Sequence, residues 1–351
     1  MDTVVTTSTN VYPVRTGYGL LDDIKKHLPF DVTGKKVMVV SDDSVAKIYL
    51  DKVCAQLSAI PFVFPHGENS KSFAYAEKIT SALAENKFTR SDFIFALGGG
   101  VTGDLSGFVA SIYMRGIPYV QLPTTLLAGI DSSVGGKTAV NIPYGKNLVG
   151  RIYPPKAVLY DLKTLSTLPS EYVRDGVGEG LKYAILDGNE LFDIMERCAP
   201  TGGDYLGNFT DDDLERFVDL CVGYKKRIVE ADENENSVRR LLNLGHTLGH
   251  SLERKSNLTI THGVCVSMGL KLIAEASYRQ NFLSKNDRDR IMNLLDKYGV
   301  TDCPYHIKEL VGEVAVDKKT VDNAVNLVTI HGIGDCRITN VPLSELEDFF
   351  G

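Results

Sequence analysis

The sequence predicts an α/β protein: an N-terminal Rossmann-like parallel-sheet domain followed by a mainly α-helical domain. Three observations predict it. Over the first half, short apolar runs alternate with helical stretches, the rhythm of βαβ units. From about residue 168 the runs give way to consecutive segments with helical periodicity. The chain of 351 residues is also long for a single core. The change of pattern sets the boundary, with residues 1–167 in the α/β domain and 168–351 in the helical one.

The elements follow in order. "KKVMVVSDD" (35–43) is an apolar, β-branched run ending in two aspartates, and the helical "SVAKIYLDKVCAQL" comes after it. "PFVFPHGE" (61–68) is a second strand and turn, and "SFAYAEKITSALAENK" a second helix. "SDFIFALGGG" (91–100) is a buried strand running into glycines, and "IPYVQLPTT" (117–125) is another strand. Residues 131–163, rich in Gly, Pro and Lys, are expected as functional loops with one further strand, "AVLYDL". The second half offers "SEYVRDGVGEGLKYAIL", "DDDLERFVDLCVGYKKRIVEADE", "RRLLNLGHTLGHSLERK", "GVCVSMGLKLIAEASYRQ" and "SKNDRDRIMNLLDKYG" as helices. Thr210 before three aspartates is a good helix start, because a hydroxyl cap and acidic first turn satisfy the free amides and the dipole. "VNLVTI" is a late short strand.

Composition narrows the function. Hydrophobic residues make up 43% and charged residues 24%, as in an ordinary soluble globular chain. The net charge of −7, without a basic stripe, argues against nucleic acid as a partner. No apolar run is long enough to span a bilayer, and "MDTVVTTSTN" lacks the apolar core of a signal peptide. The six cysteines contain no Cys-x-x-Cys pair and fit reduced thiols in a cytoplasmic protein.

Four stretches can carry chemistry. "GGGVTG" (98–103) satisfies G-x-G-x-x-G between a strand and a helix, where glycines let a pyrophosphate approach the backbone. The acidic residue expected about 20 positions on is Gln121, which leaves Asp42 as the candidate for a ribose. "DSSVGGKTAVNIPYGKN" (131–147) sets Lys137 and Lys146 beside glycines, a pattern suited to a phosphate. Arg115 is a further anion contact. "GVGEGLKYAIL" carries Glu179 and Lys182 among apolar neighbours, so the carboxylate is expected to be buried and to need a partner or a metal. In "RRLLNLGHTLGHSLE", Arg239, Asn243, His246 and His250 fall at steps of four, three and four, one polar face of an expected helix. Gly245 and Gly249 cost that helix roughly 1 kcal/mol each relative to alanine, which suggests close backbone approach. With His262, a Glu/His/His set could bind catalytic zinc, and the missing H-E-x-x-H disfavours a zincin protease.

Together "GGGVTGDLSGFVA", "QLPTTLLAGIDSSVGGKTAVN", "GKNLVG", "NLGHTLGH" and "DKK…GIGD" resemble the 3-dehydroquinate synthase family of the sugar phosphate cyclases, from about residue 66 onward. The resemblance implies conversion of 3-deoxy-D-arabino-heptulosonate 7-phosphate to 3-dehydroquinate plus phosphate, in the shikimate pathway. It implies catalytic NAD, a divalent metal (zinc or cobalt), transient oxidation, phosphate elimination, re-reduction and an intramolecular aldol. Metal ligands would be Glu179, His246 and His262, with His250 beside the departing phosphate. Lys137, Lys146, Asn147 and Lys318 would contact phosphate and substrate. Arg239, Asn243 and Lys225 would meet the substrate carboxylate and hydroxyls, with Asp131 and Lys182 nearby. Arg115 would reach into the neighbouring site of a homodimer. NAD would be held by Asp42, Glu68, Lys71, Gly99, Gly100, Val101, Gly103, Asp104, Thr124, Thr125, Lys137, Lys146, Thr164 and Thr167. Val264 stands where the family commonly has Glu, and Gly180 where a β-branched residue is usual. Alternatives are another sugar phosphate cyclase or a metal- and NAD-dependent polyol dehydrogenase; the latter has no need of the two-lysine loop.

Overall fold

The computed structural model describes residues 2–257, 259–316 and 323–351. It divides into two compact units, Met1–Leu168 with Lys225–Glu233 and Pro169–Tyr224 with Asn234–Gly351.

The first unit holds β1 (Asp2–Thr6), β2 (Val11–Gly17), β3 (Val37–Asp42), β4 (Ile60–Phe64), β5 (Phe93–Gly98), β6 (Tyr119–Pro123), β7 (Lys137–Ile142), β8 (Gly145–Ile152) and β9 (Ala157–Asp161). Its longer helices are α1 (Asp51–Leu57), α2 (Phe73–Glu85) and α3 (Gly100–Ile112). Seven strands form one sheet in the order β1-β2-β9-β6-β5-β3-β4. Every neighbouring pair is parallel except β1 with β2. The central strands are buried on both faces, which is why they read as continuous apolar runs. Side chains alternate between two cores. Val37, Val39, Phe95 and Leu97 pack with Val53 and Leu57 of α1. Met38, Val40 and Ile94 pack with Ile79 of α2 and Leu105 and Val109 of α3.

The chain steps outward from β3 to β4, then returns to the other side of β3 with β5. The winding therefore reverses between β3 and β5, and ligands of such sheets bind at the carboxyl ends beside that reversal. Asp42 ends β3 and Gly98 ends β5.

Two features of the first unit depart from the sequence reading. Residues 131–163 contain a hairpin, β7 with β8, besides the expected strand β9. Thr138, Ala139 and Val140 are buried and supply the packing that orders it, a short apolar patch hidden among Gly and Lys. The edge strand β1 and its neighbour β2 also lie outside the sequence reading.

The second unit carries α4 (Ser170–Asp187), α5 (Asn189–Arg197), the start of α6 (Asp211–Ala231), α7 (His246–Lys255), α8 (His262–Arg279), α9 (Lys285–Lys297), α10 (Ile307–Val316) and the hairpin β10 (Ala324–Gly332) with β11 (Asp335–Pro342). Thr210 caps α6 as expected, its Oγ1 accepting from Asp213 N at 3.1 Å. "RRLLNLGHTLGHSLERK" is not one helix. Val238–Asn243 is a tight 3-10 turn, Leu244 is extended, and Gly245 is left-handed at φ 76° before α7 begins at His246. Arg239 and Asn243 therefore share no helix with His246 and His250.

The break has a packing cause. A Cβ at Gly269 of α8 would lie 2.0 Å from Gly245 O, so bare backbone meets bare backbone. A second seam joins α4 and α8: a Cβ at Gly178 would meet Gly263 O at 2.0 Å, and one at Gly263 would meet Asp175 O at 1.8 Å. No helix among the described residues is long and apolar enough to cross a membrane. The seam is testable. Gly263→Ala should cost about 1–3 kcal/mol by overpacking, read as a lower urea midpoint with unchanged slope. Gly312→Ala, in α10 with open space at its Cβ, should leave the midpoint unchanged or raise it.

Candidate metal centre and nucleotide loop

The second unit brings three ligand-type side chains together. Glu179, His246 and His262 each offer one donor atom, and the three atoms lie within 4.8 Å of one another. Glu179 comes from mid-α4 just after Gly178, while His246 and His262 are the first residues of α7 and α8. The glycine seams therefore set the spacing of the donors.

Orientation follows from hydrogen bonding. His246 Nδ1 lies 3.0 Å from Leu244 O, and a carbonyl only accepts, so Nδ1 carries the proton and Nε2 is left bare. His246 Nε2 is 3.3 Å from Glu179 Oε1, and His262 Nε2 is 3.1 Å from the same oxygen. Two imidazoles thus turn the same nitrogen toward one carboxylate oxygen. Glu179 is fully buried, and its Oε2 accepts no well-directed hydrogen bond among the described residues, although Lys182 Nζ lies 2.5 Å away. A buried carboxylate facing two oriented imidazoles fits a divalent cation.

Electrostatics agree with the geometry. Burial raises the Glu179 carboxyl, but Lys182 and the two histidines outweigh it and hold it well below the usual range. Burial lowers His246 despite Glu179 beside it. Burial also works against a charged His262, yet contacts with Glu179 and Glu253 push it up to about 10. Without a metal, His262 is therefore the member of the cluster that holds a proton near neutrality.

His250 stands one turn after His246, with ring centres 5.3 Å apart, and 5.8 Å from His262. Asp175, raised by burial, accepts from Gly263 N at 2.5 Å and so caps the start of α8 from α4. Arg239 is buried on its 3-10 turn. Asn243 donates from Nδ2 to Glu235 Oε1 at 3.0 Å. Glu235, in the left-handed region at φ 59°, was missed by the sequence reading, because nothing in "DENENS" marks which carboxylate turns back. Val264 is buried, and the carboxylate beside His262 Nδ1 is Glu253, also unanticipated.

The first unit places the remaining residues. Asp42 caps the turn after β3, accepting from Ser44 N and Val45 N at 3.0 Å. Gly99, extended, precedes α3, which includes Gly100, Val101, Gly103 and Asp104. A Cβ at Gly103 would lie 2.7 Å from Gln121 Oε1, so this glycine serves helix–sheet packing. Lys71 pairs with Asp104, and Glu68 accepts from Asn141 Nδ2 at 2.7 Å. Thr124 N donates to Gly98 O at 3.0 Å, and Thr125 Oγ1 accepts from Ala128 N at 3.1 Å. Thr164 and Thr167 lie on the 3-10 turn after β9, the latter 2.6 Å from Tyr49 OH. Lys225 Nζ donates to Asp131 O at 2.6 Å and pairs with its carboxylate.

The two lysines of the hairpin are not side by side. Lys137 faces Ile152, whereas Lys146 follows Gly145, which faces Ile142, so they stand at opposite ends. Asn147 is left-handed, its N–H donating to Asn141 Oδ1 at 2.9 Å. Met114 and Arg115 are consecutive left-handed residues at φ 50° and 67°, and Arg115 is exposed. Lys318 lies outside the described residues.

Comparison with known proteins covers both units. The family descriptions "3-dehydroquinate synthase N-terminal" and "3-dehydroquinate synthase C-terminal" match residues 61–175 and 176–320. The chain is 39% identical to a 3-dehydroquinate synthase of Clostridium acetobutylicum, over 96% of this chain and 95% of that protein. It is 38% identical to one of Pelobacter propionicus, with the same coverage. Among solved structures it is similar to a 2-epi-5-epi-valiolone synthase of Streptomyces hygroscopicus with NAD+ and Zn2+ bound (25% identity, TM-score 0.87, 99% of this chain and 98% of that one). A 2-deoxy-scyllo-inosose synthase shares the fold at 23% identity and TM-score 0.89, over 100% of this chain and 99% of the other. With two consecutive family matches over residues 61–320 and a relative aligned over nearly its whole length, the chain belongs to the 3-dehydroquinate synthase family.

Proposed function

We propose that this chain converts 3-deoxy-D-arabino-heptulosonate 7-phosphate into 3-dehydroquinate and phosphate, with NAD and a divalent metal as cofactors. One observation carries the assignment of the chemistry beyond family membership: two imidazoles, both in the second unit, turn Nε2 toward one oxygen of a buried carboxylate. Glu179, His246 and His262 would hold the metal. Bound NAD would accept a hydride from the substrate and later return it, and the metal would polarise a substrate oxygen.

The protein's own residues do the rest. His250, one turn from His246, is set to assist departure of the phosphate. The buried Arg239 guanidinium suits a substrate carboxylate, and Glu235 fixes Asn243 so that its amide oxygen faces away from the bond. Lys225, held by Asp131, and Lys182 would contact hydroxyls. Lys137, Asn147 and Lys318 would bind phosphate. NAD would occupy the carboxyl ends of β3 and β5, with Asp42, Glu68, Lys71, residues 99–104, Thr124, Thr125, Lys146, Thr164 and Thr167 around it. The winding reversal between β3 and β5 supports this placement. The chain would act in the cytoplasm as a homodimer in which Arg115 serves the partner's site. Strained left-handed backbone at Met114 and Arg115 supports a functional demand there. No disulfide joins the six cysteines among the described residues.

Purified protein incubated with the heptulosonate phosphate, NAD and Co2+ should release inorganic phosphate without net NADH. Net NADH would instead identify a dehydrogenase. His246→Ala should lose the metal, whereas His250→Ala should keep it and lose at least about 100-fold in phosphate release. Metal binding near neutral pH should expel close to one proton, from His262, seen as a binding heat that scales with buffer ionisation enthalpy. Mixing Arg115→Ala with His250→Ala subunits should restore about a quarter of wild-type activity, since half the dimers then hold one intact site. No recovery would place Arg115 in its own subunit's site.

A further inference from the structure

The second unit contains a buried carboxylate that neither the metal triad nor the proposed chemistry uses. Glu253 lies on α7, seven residues or two turns after His246, and so on the same face of the helix. It is 9% exposed, and its Oε2 is 3.4 Å from His262 Nδ1. The other nitrogen of that ring, Nε2, faces Glu179 Oε1 at 3.1 Å.

We infer that Glu253 is a positioning residue: it accepts the Nδ1–H of His262 and thereby aims Nε2 at the metal. The inference rests on Glu179, His246 and His262 being the metal ligands. A neutral imidazole has one N–H, and if Nδ1 carries it the Nε2 lone pair is free for a cation. His246 solves the same problem with the carbonyl of Leu244. The two anchors are not equivalent. A backbone carbonyl is neutral, whereas a carboxylate donates charge into the ring and makes Nε2 a stronger ligand. α7 therefore supplies both a ligand, His246, and the support of the other histidine ligand on α8.

The same side chains allow a competing use. His250, Glu253 and His262 also have donor atoms within 4.8 Å of one another, a possible second cation site. The two uses exclude each other at His262, because Nδ1 cannot both donate to Glu253 and ligate an ion. The positioning role is favoured because it leaves Nε2 free at the first site, where Glu179 gathers both histidines.

The test is a Co2+ titration of metal-free protein, followed by visible absorption, for wild type, Glu253→Gln and Glu253→Asp. The expected result is one Co2+ per chain in all three. Glu253→Gln should bind it about 10–100-fold more weakly with altered d–d bands, and Glu253→Asp should recover part of the loss. Circular dichroism and thermal melts establish that each variant is folded; if Glu253→Gln is not, Glu253→Asp carries the comparison through its affinity and bands. Unchanged affinity and spectrum in the folded variants would overturn the inference. So would two Co2+ per wild-type chain with one lost in Glu253→Gln, since Glu253 would then be a ligand. A wild-type protein that binds no Co2+, or a His246→Ala variant that binds it unchanged, would sink the underlying ligand assignment instead.

Discussion

The second unit depends on helices that touch through bare backbone. Gly178 against Gly263, Gly263 against the Asp175 carbonyl, and Gly269 against Gly245 leave no room for even a methyl group. Larger residues there would hold the helices apart, and the ligand atoms of Glu179, His246 and His262 would no longer fall within one coordination sphere. The cost of glycine in a helix is thus offset where it permits the close approach that brings the Glu179, His246 and His262 donor atoms together. Gly263 follows His262 and Gly245 precedes His246, so each histidine is placed by the glycine beside it in the chain.

The first unit answers a different constraint. A central sheet buried on both faces is rigid, and its winding reversal gathers Asp42 and the glycine loop at adjacent strand ends. Here polar side chains hold one another: Lys71 with Asp104, Lys225 with Asp131, and Glu68 with Asn141. Burial raises Asp104, against the pull of Lys71. Such pairs keep polar groups satisfied at an otherwise apolar sheet edge and fix their orientation before any ligand arrives.

Much of this was legible in the sequence because it depends on local pattern. The parallel strands announce themselves as apolar runs, and "GGGVTG" sits between a strand and a helix as its mechanism demands. Residue types alone raised a Glu/His/His set, but the choice of His246 over His250 beside Glu179 and His262 came from resemblance, since no spacing rule joins residues so far apart. What was not legible is long-range. Regular steps of four, three and four made Arg239 to His250 look like one helical face, but a contact with α8 puts Gly245 in a left-handed turn and splits it. The β7–β8 hairpin was hidden because its packing partner, α3, lies elsewhere in the chain, and its register moves Lys137 and Lys146 to opposite ends. Glu235 and Glu253 look like ordinary surface acids until the fold turns them onto Asn243 and His262.

We propose that glycine seams build one three-donor metal centre from the middle of α4 and the first residues of α7 and α8. The most direct measurement is an anomalous difference map at the zinc edge from crystals of the zinc-loaded protein. The expected result is a single peak per chain, about 2.0–2.2 Å from His246 Nε2, His262 Nε2 and a Glu179 oxygen. A peak bound instead by His250 and Glu253, or none near Glu179, would contradict it.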